Sequence, residues 1–175
     1  MGNRGGRIHD DWRIKRRQGS ARWIICVLAF KSRQRIVMQS GYTELFFLDE
    51  ATALAAGHRP CFECRRADAR AFAAAFGQER AGDIDAVLTR ERRGPKPDVT
   101  VKELAPGAMV AAGGDAFLFD GDGFHRWSFE GYTPGAPAGA LTLLTPAATL
   151  AALHAGYRAG MATANPVSGS ARPPA

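Results

Sequence analysis

The sequence predicts an α+β fold, and three observations predict it. Residues 22–92 alternate short apolar runs with short capped helical stretches; beyond residue 98 the texture changes to brief strands broken by glycine; and Cys61 and Cys64 have the C-x-x-C spacing of a metal-binding turn. The expected architecture is a small antiparallel meander plus short helices around a cysteine-rich metal site, followed by a short-stranded β module with a terminal helix. The parts read as a basic arm (1–21), a metal-binding module (22–92), a linker (93–98), a small β module with its C-terminal helix (99–160) and a disordered tail (161–175).

Taken in order, residues 1–21 are rich in Gly and Arg with little apolar periodicity, and read as a mobile or loosely docked arm. Residues 22–30, β-branched and aromatic, read as a buried strand. Residues 35–39 alternate as a second strand and residues 42–48 form a third. Asp49 is a good N-cap for a helix over 50–56, because its carboxylate can accept from free amides of the first turn. Gly57 ends that helix, since glycine tolerates the left-handed conformation required there. Asp68 begins a second helix over 69–76, with Phe72 and Phe76 on one face. A third runs over 83–92, with Ile84, Val87 and Leu88 inward.

Two prolines and a glycine between Arg93 and Asp98 cannot continue a helix and mark the linker. Strands are then expected over 99–103, 109–112, 116–120, 124–129 and 140–144, spaced as in a small barrel or curled sheet. Thr145 as N-cap and Pro146 at the first position start a last helix that buries Leu150 and Leu153 and stops at Gly156. From Thr163 the chain is rich in Pro, Ala, Ser and Gly, a composition that favours disorder.

Charge is uneven. Residues 1–40 carry a net +8 and residues 41–175 a net −2, within a total of +6. A basic first quarter on a near-neutral body is the electrostatic footprint of a phosphate-bearing partner, DNA or RNA, with Arg13, Lys15, Arg16, Arg17, Arg22, Arg33 and Arg35 as the contacting residues. No run approaches the roughly 20 apolar residues of a membrane span. No secretory signal is visible, and three cysteines, an odd number, do not make a disulfide framework. A reducing, cytoplasmic setting is therefore expected, where C-x-x-C serves metal binding or redox chemistry. A redox pair should follow a buried strand directly and open a long helix; here a helix and a Gly-His-Arg-Pro turn come first, which favours metal.

Phe46-Phe47, Ala51, Ala53-Leu54-Ala55-Ala56-Gly57-His58-Arg59-Pro60-Cys61, Cys64-Arg65 and the acidic Asp68 follow one another as aromatic strand, short helix, turn and ligand pair. Over residues 44–68 this resembles the second half of the zinc-binding N-terminal domain of the Ada DNA-repair proteins. That resemblance implies zinc held by four cysteines, the first two spaced C-x-x-x-C on a preceding strand, one of which accepts a methyl group from a DNA phosphotriester. Cys26 occupies the position comparable to that acceptor. Phe30 stands where its partner ligand belongs, and residues 77–175 do not resemble the family.

The sequence thus proposes Cys26, Cys61 and Cys64 as zinc ligands, with His9, His58 or water as candidates for a fourth. Three thiolates leave zinc more positive than four and make Cys26 a poorer nucleophile, so binding is expected over repair. The leading reading is a zinc-binding, non-catalytic protein that contacts nucleic acid through its basic region. The alternatives are alkyl transfer to Cys26 or chemistry by a zinc-bound water, and an interaction module with purely structural zinc. Elsewhere, His125-Arg126-Trp127 with Tyr132 is a packed corner or a stacking surface; Asp115, Asp120 and Asp122 are turn formers; and Glu91-Arg92-Arg93 is a solvated helix end.

Overall fold

A computed structural model describes residues 1–32, 36–38 and 41–162. Its α+β architecture contains, among those residues, a three-stranded sheet, a two-stranded ribbon, a six-stranded sheet and four α-helices. The first sheet is built from β1 (Gly2–Asn3), β4 (Ile24–Ile25) and β5 (Arg59–Pro60), in the order β1-β4-β5. The ribbon pairs β2 (His9–Asp10) with β3 (Arg13–Ile14).

This first sheet is not the expected meander. β4 is flanked antiparallel by β1 and parallel by β5, a segment 35 residues further along the chain. Of residues 42–48 only Leu45 bridges, and it bridges to Gly2. Of the expected 35–39 strand, Arg35, Gln39 and the preceding Arg33 lie outside the described residues. The reason is that the N-terminal residues compete for the same edge. Gly2 and Asn3 pair with Ile25 and Ile24, while Ile8 and His9 are buried. His9 is fixed by the Thr43 hydroxyl at 2.6 Å and the Met38 carbonyl at 2.9 Å. The first twenty residues are therefore a packed layer rather than a loose arm. Proline is tolerated in β5 because the strand is an edge; its flanking amides, Arg59 N and Cys61 N, donate to Trp23 and Ile25 carbonyls at 3.0 Å each.

The helices follow their caps. α1 (Glu50–Ala55) begins at Asp49, whose Oδ1 accepts from the Thr52 amide at 2.8 Å, and Gly57 beyond its end has φ +82°. α2 (Arg66–Phe76) starts two residues before Asp68, which sits in the first turn and pairs with Arg65 at 2.8 Å. α3 (Ala81–Arg93) buries Ile84 and Leu88, and α4 (Ala147–His154) buries Leu150 and Leu153. Thr145 is not its cap: the buried hydroxyl accepts from the Met109 amide at 2.9 Å instead.

The large sheet is wholly antiparallel, in the order β10-β9-β8-β7-β11-β6. Its strands are β6 (Asp98–Val99), β7 (Met109–Ala112), β8 (Asp115–Phe119), β9 (Phe124–Ser128), β10 (Gly131–Pro134) and β11 (Leu141–Leu143). It stays open, with β10 and β6 as edges, rather than closing into a barrel. Residues 101–103 turn away as a 3-10 helix because Thr100 and Glu103 form a capping box, the Glu103 carboxylate accepting from the Thr100 amide at 2.7 Å. The sequence reading had missed β10, which lays Tyr132 opposite Trp127. One apolar cluster joins both halves, from Ile25, Leu54 and Phe72 to Val110, Phe117 and Leu143.

Candidate metal centre

Register brings the three cysteines together. In the parallel β4–β5 pair Ile25 lies opposite Pro60, so the next residue on each strand, Cys26 and Cys61, emerges at the same end of the sheet. A turn closed by the Arg65 amide on the Cys61 carbonyl at 3.0 Å then folds Cys64 back toward them, and α2 starts immediately after it. The Sγ atoms of Cys26, Cys61 and Cys64 all lie within 4.8 Å of one another. Around a tetrahedral ion with Zn–S bonds of about 2.3 Å the sulfurs stand about 3.8 Å apart, so the trio closes onto an ion by about 1 Å or less of movement per pair. These cysteines are the one such group of His, Cys, Asp and Glu side chains among the described residues.

The thiols are coupled by hydrogen bonds. The Glu63 amide donates to Cys61 Sγ at 3.4 Å. Cys61 is held down to about 5, chiefly by the Cys26 thiol donating to it and also by the Cys64 and Glu63 amides, against the opposing effect of burial. Cys26 is pushed up as that donor, with burial adding to it, and Cys64 is raised by burial first. The metal-free trio is thus one thiolate solvated by two thiols, an arrangement already shaped for a soft cation.

Beside the sulfurs lies a cleft of about 120 Å³, lined by Ile24, Val27, Leu28, Phe30, Tyr42 and Glu63 among others. Phe30 therefore forms part of its wall. Neither histidine proposed as a fourth ligand joins the sulfurs. His9 is occupied by Thr43 and Met38. His58 is fully buried between Trp23 and Phe47, with ring centroids 5.1 and 4.9 Å away. Burial, reinforced by the Arg4 and Arg92 guanidinium groups, lowers the His58 pKa to about 3, so it packs as a neutral aromatic ring.

Two supports of the centre have no local signature. Arg59, on β5, makes a bidentate pair with Asp85 of α3 at 2.9 and 2.8 Å, and both side chains are almost wholly buried. Arg65, just after Cys64, pairs with Glu50 at 2.9 Å, and Glu50 also accepts from the Tyr157 hydroxyl at 2.7 Å. The acidic partners lie 26 and 15 residues away in sequence, beyond the reach of any spacing rule.

The proposed nucleic-acid contacts are scattered. Arg13, Lys15, Arg16, Arg17 and Arg22 are exposed, whereas Arg33 and Arg35 lie outside the described residues. Arg16 donates to the Arg7 carbonyl and Arg17 to the Arg92 carbonyl. Arg92 is buried, not solvated: it donates to Gly57 and Ala21 carbonyls and to the Thr89 hydroxyl. Its neighbour Glu91 accepts from the Ala148 amide in the first turn of α4. Arg4 and Arg92 both stack on Trp23, 3.9 and 4.2 Å from its centroid. Burial, with repulsion from Arg4, Arg17 and Arg93, brings Arg92 down to about 10.

Asp120 Oδ1 accepts from the Asp122 and Gly123 amides, which makes it the turn former expected, and Oδ2 meets His125 at 2.6 Å. No helix among the described residues is long and apolar enough to cross a membrane. No protein-family model, curated protein or solved structure matches the chain.

Proposed function

We propose that this chain is a zinc-binding protein in which the ion, held by Cys26, Cys61 and Cys64, clamps the end of β4 to the start of α2. The convergence of three sulfurs within 4.8 Å, delivered by strand register and one tight turn, carries the reading. A third thiol in the same cluster favours metal over a C-x-x-C redox pair, which needs two. Soft thiolates select zinc among the divalent ions a cell supplies in quantity. The resemblance of residues 44–68 to the Ada zinc domain agrees with this. Metal analysis of the purified chain tests it: one zinc per chain is expected in wild type, and loss of tight zinc binding in Cys61→Ser and Cys64→Ser. A metal-free wild type that folds normally and ignores added zinc ends the reading.

A second proposal, contact with nucleic-acid phosphates, is favoured by the guanidinium groups of Arg4, Arg17 and Arg92 gathered around Trp23. Their charges repel one another, and an incoming phosphate would relieve that repulsion. The exposed Arg13, Lys15 and Arg22 extend the positive surface. Phosphate binding predicts affinity for duplex DNA that falls steeply with salt. Affinity indifferent to salt, or unchanged in Arg17→Ala with Arg13→Ala, refutes it.

A further inference from the structure

Three sulfurs fill three positions of a tetrahedral ion, and the chain offers no fourth donor to the same point. All four histidines are placed elsewhere: His9 on Thr43, His58 between Trp23 and Phe47, His125 on Asp120 and His154 on the Glu103 carbonyl. No carboxylate oxygen joins the sulfur cluster. The residues outside the described ones, 33–35, 39–40 and 163–175, contain no Cys, His, Asp or Glu. What does adjoin the sulfurs is the 120 Å³ cleft, with Val27, Leu28 and Phe30 along its walls. At about 30 Å³ per water-sized group it has room for about four non-hydrogen atoms.

We propose that the cleft admits a small alkyl thiol from solution, whose sulfur takes the fourth position on the ion while its carbon chain lies against Leu28 and Phe30. This rests on the zinc reading above. A site already made of thiolates prefers a soft sulfur donor over the hard oxygen of an alcohol or carboxylate. The apolar wall selects a hydrocarbon tail. On binding, the S–H bond breaks, a metal–sulfur bond forms and the proton passes to the buffer; no electrons are transferred. The cleft size matches a sulfur with a chain of about three carbons.

Cobalt(II) in place of zinc in the full chain makes the coordination visible, because sulfur-to-cobalt absorption grows with the number of thiolates. Titration with 1-propanethiol should raise that absorption saturably from a three-thiolate to a four-thiolate level, while 1-propanol and propionate leave it unchanged. Ethanethiol should bind more weakly than propanethiol, by up to about fourfold for the one methylene removed. Leu28→Ser should shrink that difference without harming the fold, since Leu28 is 77% exposed.

The proposal is overturned if bound cobalt ignores propanethiol, if imidazole binds in preference, or if chain length makes no difference. It is also overturned if the cobalt spectrum shows a fourth protein ligand before any thiol is added; Glu63, on the same cleft, is the residue to check by Glu63→Gln. A chain that takes up neither cobalt nor zinc would instead overturn the zinc reading and this inference with it, and metal content separates that outcome from a closed but occupied site.

Discussion

Replacing Asp85 with alanine removes the carboxylate that holds Arg59, and Arg59 is two residues from Cys61 on the strand that delivers it. The pair is bidentate at 2.9 and 2.8 Å, with side chains only 4% and 6% exposed. Water therefore cannot replace the lost partner, and the guanidinium keeps only the Pro60 carbonyl at 3.2 Å. Stranding one charge of a buried pair costs about 3–5 kcal/mol. Against a total of about 5–15 kcal/mol for a native domain, that is a large fraction. The pair as a whole is worth much less, because burying both ions already cost most of their attraction. Asp85→Leu combined with Arg59→Met should thus be milder than Asp85→Ala alone. Urea unfolding at one fixed free zinc concentration measures both, since bound metal adds its own stability by mass action. Asp85→Ala should also weaken zinc binding by loosening β5. A loss below about 1 kcal/mol, or a double variant as damaged as the sum of its singles, would refute this account of how Cys61 is positioned.

Three further outcomes follow from the same structure. His58 has a folded pKa of about 3 against an ordinary 6.5, so below pH 6.5 the unfolded chain binds a proton that the folded chain refuses. Stability from this group is intact above pH 6.5 and falls by up to about 1.4 kcal/mol per pH unit as pH drops toward 3; His58→Phe should flatten that part of a stability–pH profile. Gly57→Ala places a methyl 2.7 Å from the Arg92 side chain at a residue with φ +82°, and should cost about 1–3 kcal/mol in thermal or urea unfolding. Asp49→Ala removes the cap on the Thr52 amide and the acceptor for the Ala162 amide, and should cost about 1 kcal/mol with α1 fraying by hydrogen exchange.

Much of the candidate site was legible because its signals are local. The Asp49 cap, the left-handed Gly57 and the turn from Cys61 to Arg65 each close within five residues, so residue type alone specifies them. The strands of the second half were legible for the same reason, as their glycine turns fix where each one ends. The exceptions are local signals that competed. Thr100 and Glu103 made a capping box where β-branched composition suggested strand, and Thr145 served β7 rather than α4.

What sequence alone determined, then, is the α+β class, the helix ends, and Cys61 and Cys64 as a pair on one turn. Tertiary structure decided everything that joins segments far apart. It chose β1 and β5 rather than a meander as the neighbours of β4, and so set Cys26 abreast of Cys61. It buried Arg59 against Asp85 and Arg92 against Trp23. It also turned both candidate histidines away from the sulfurs. The physical reason is that a cap or a turn is satisfied by its own neighbours. Strand register and buried ion pairs are instead set by which distant surfaces exclude water together, and no spacing in the chain encodes that choice.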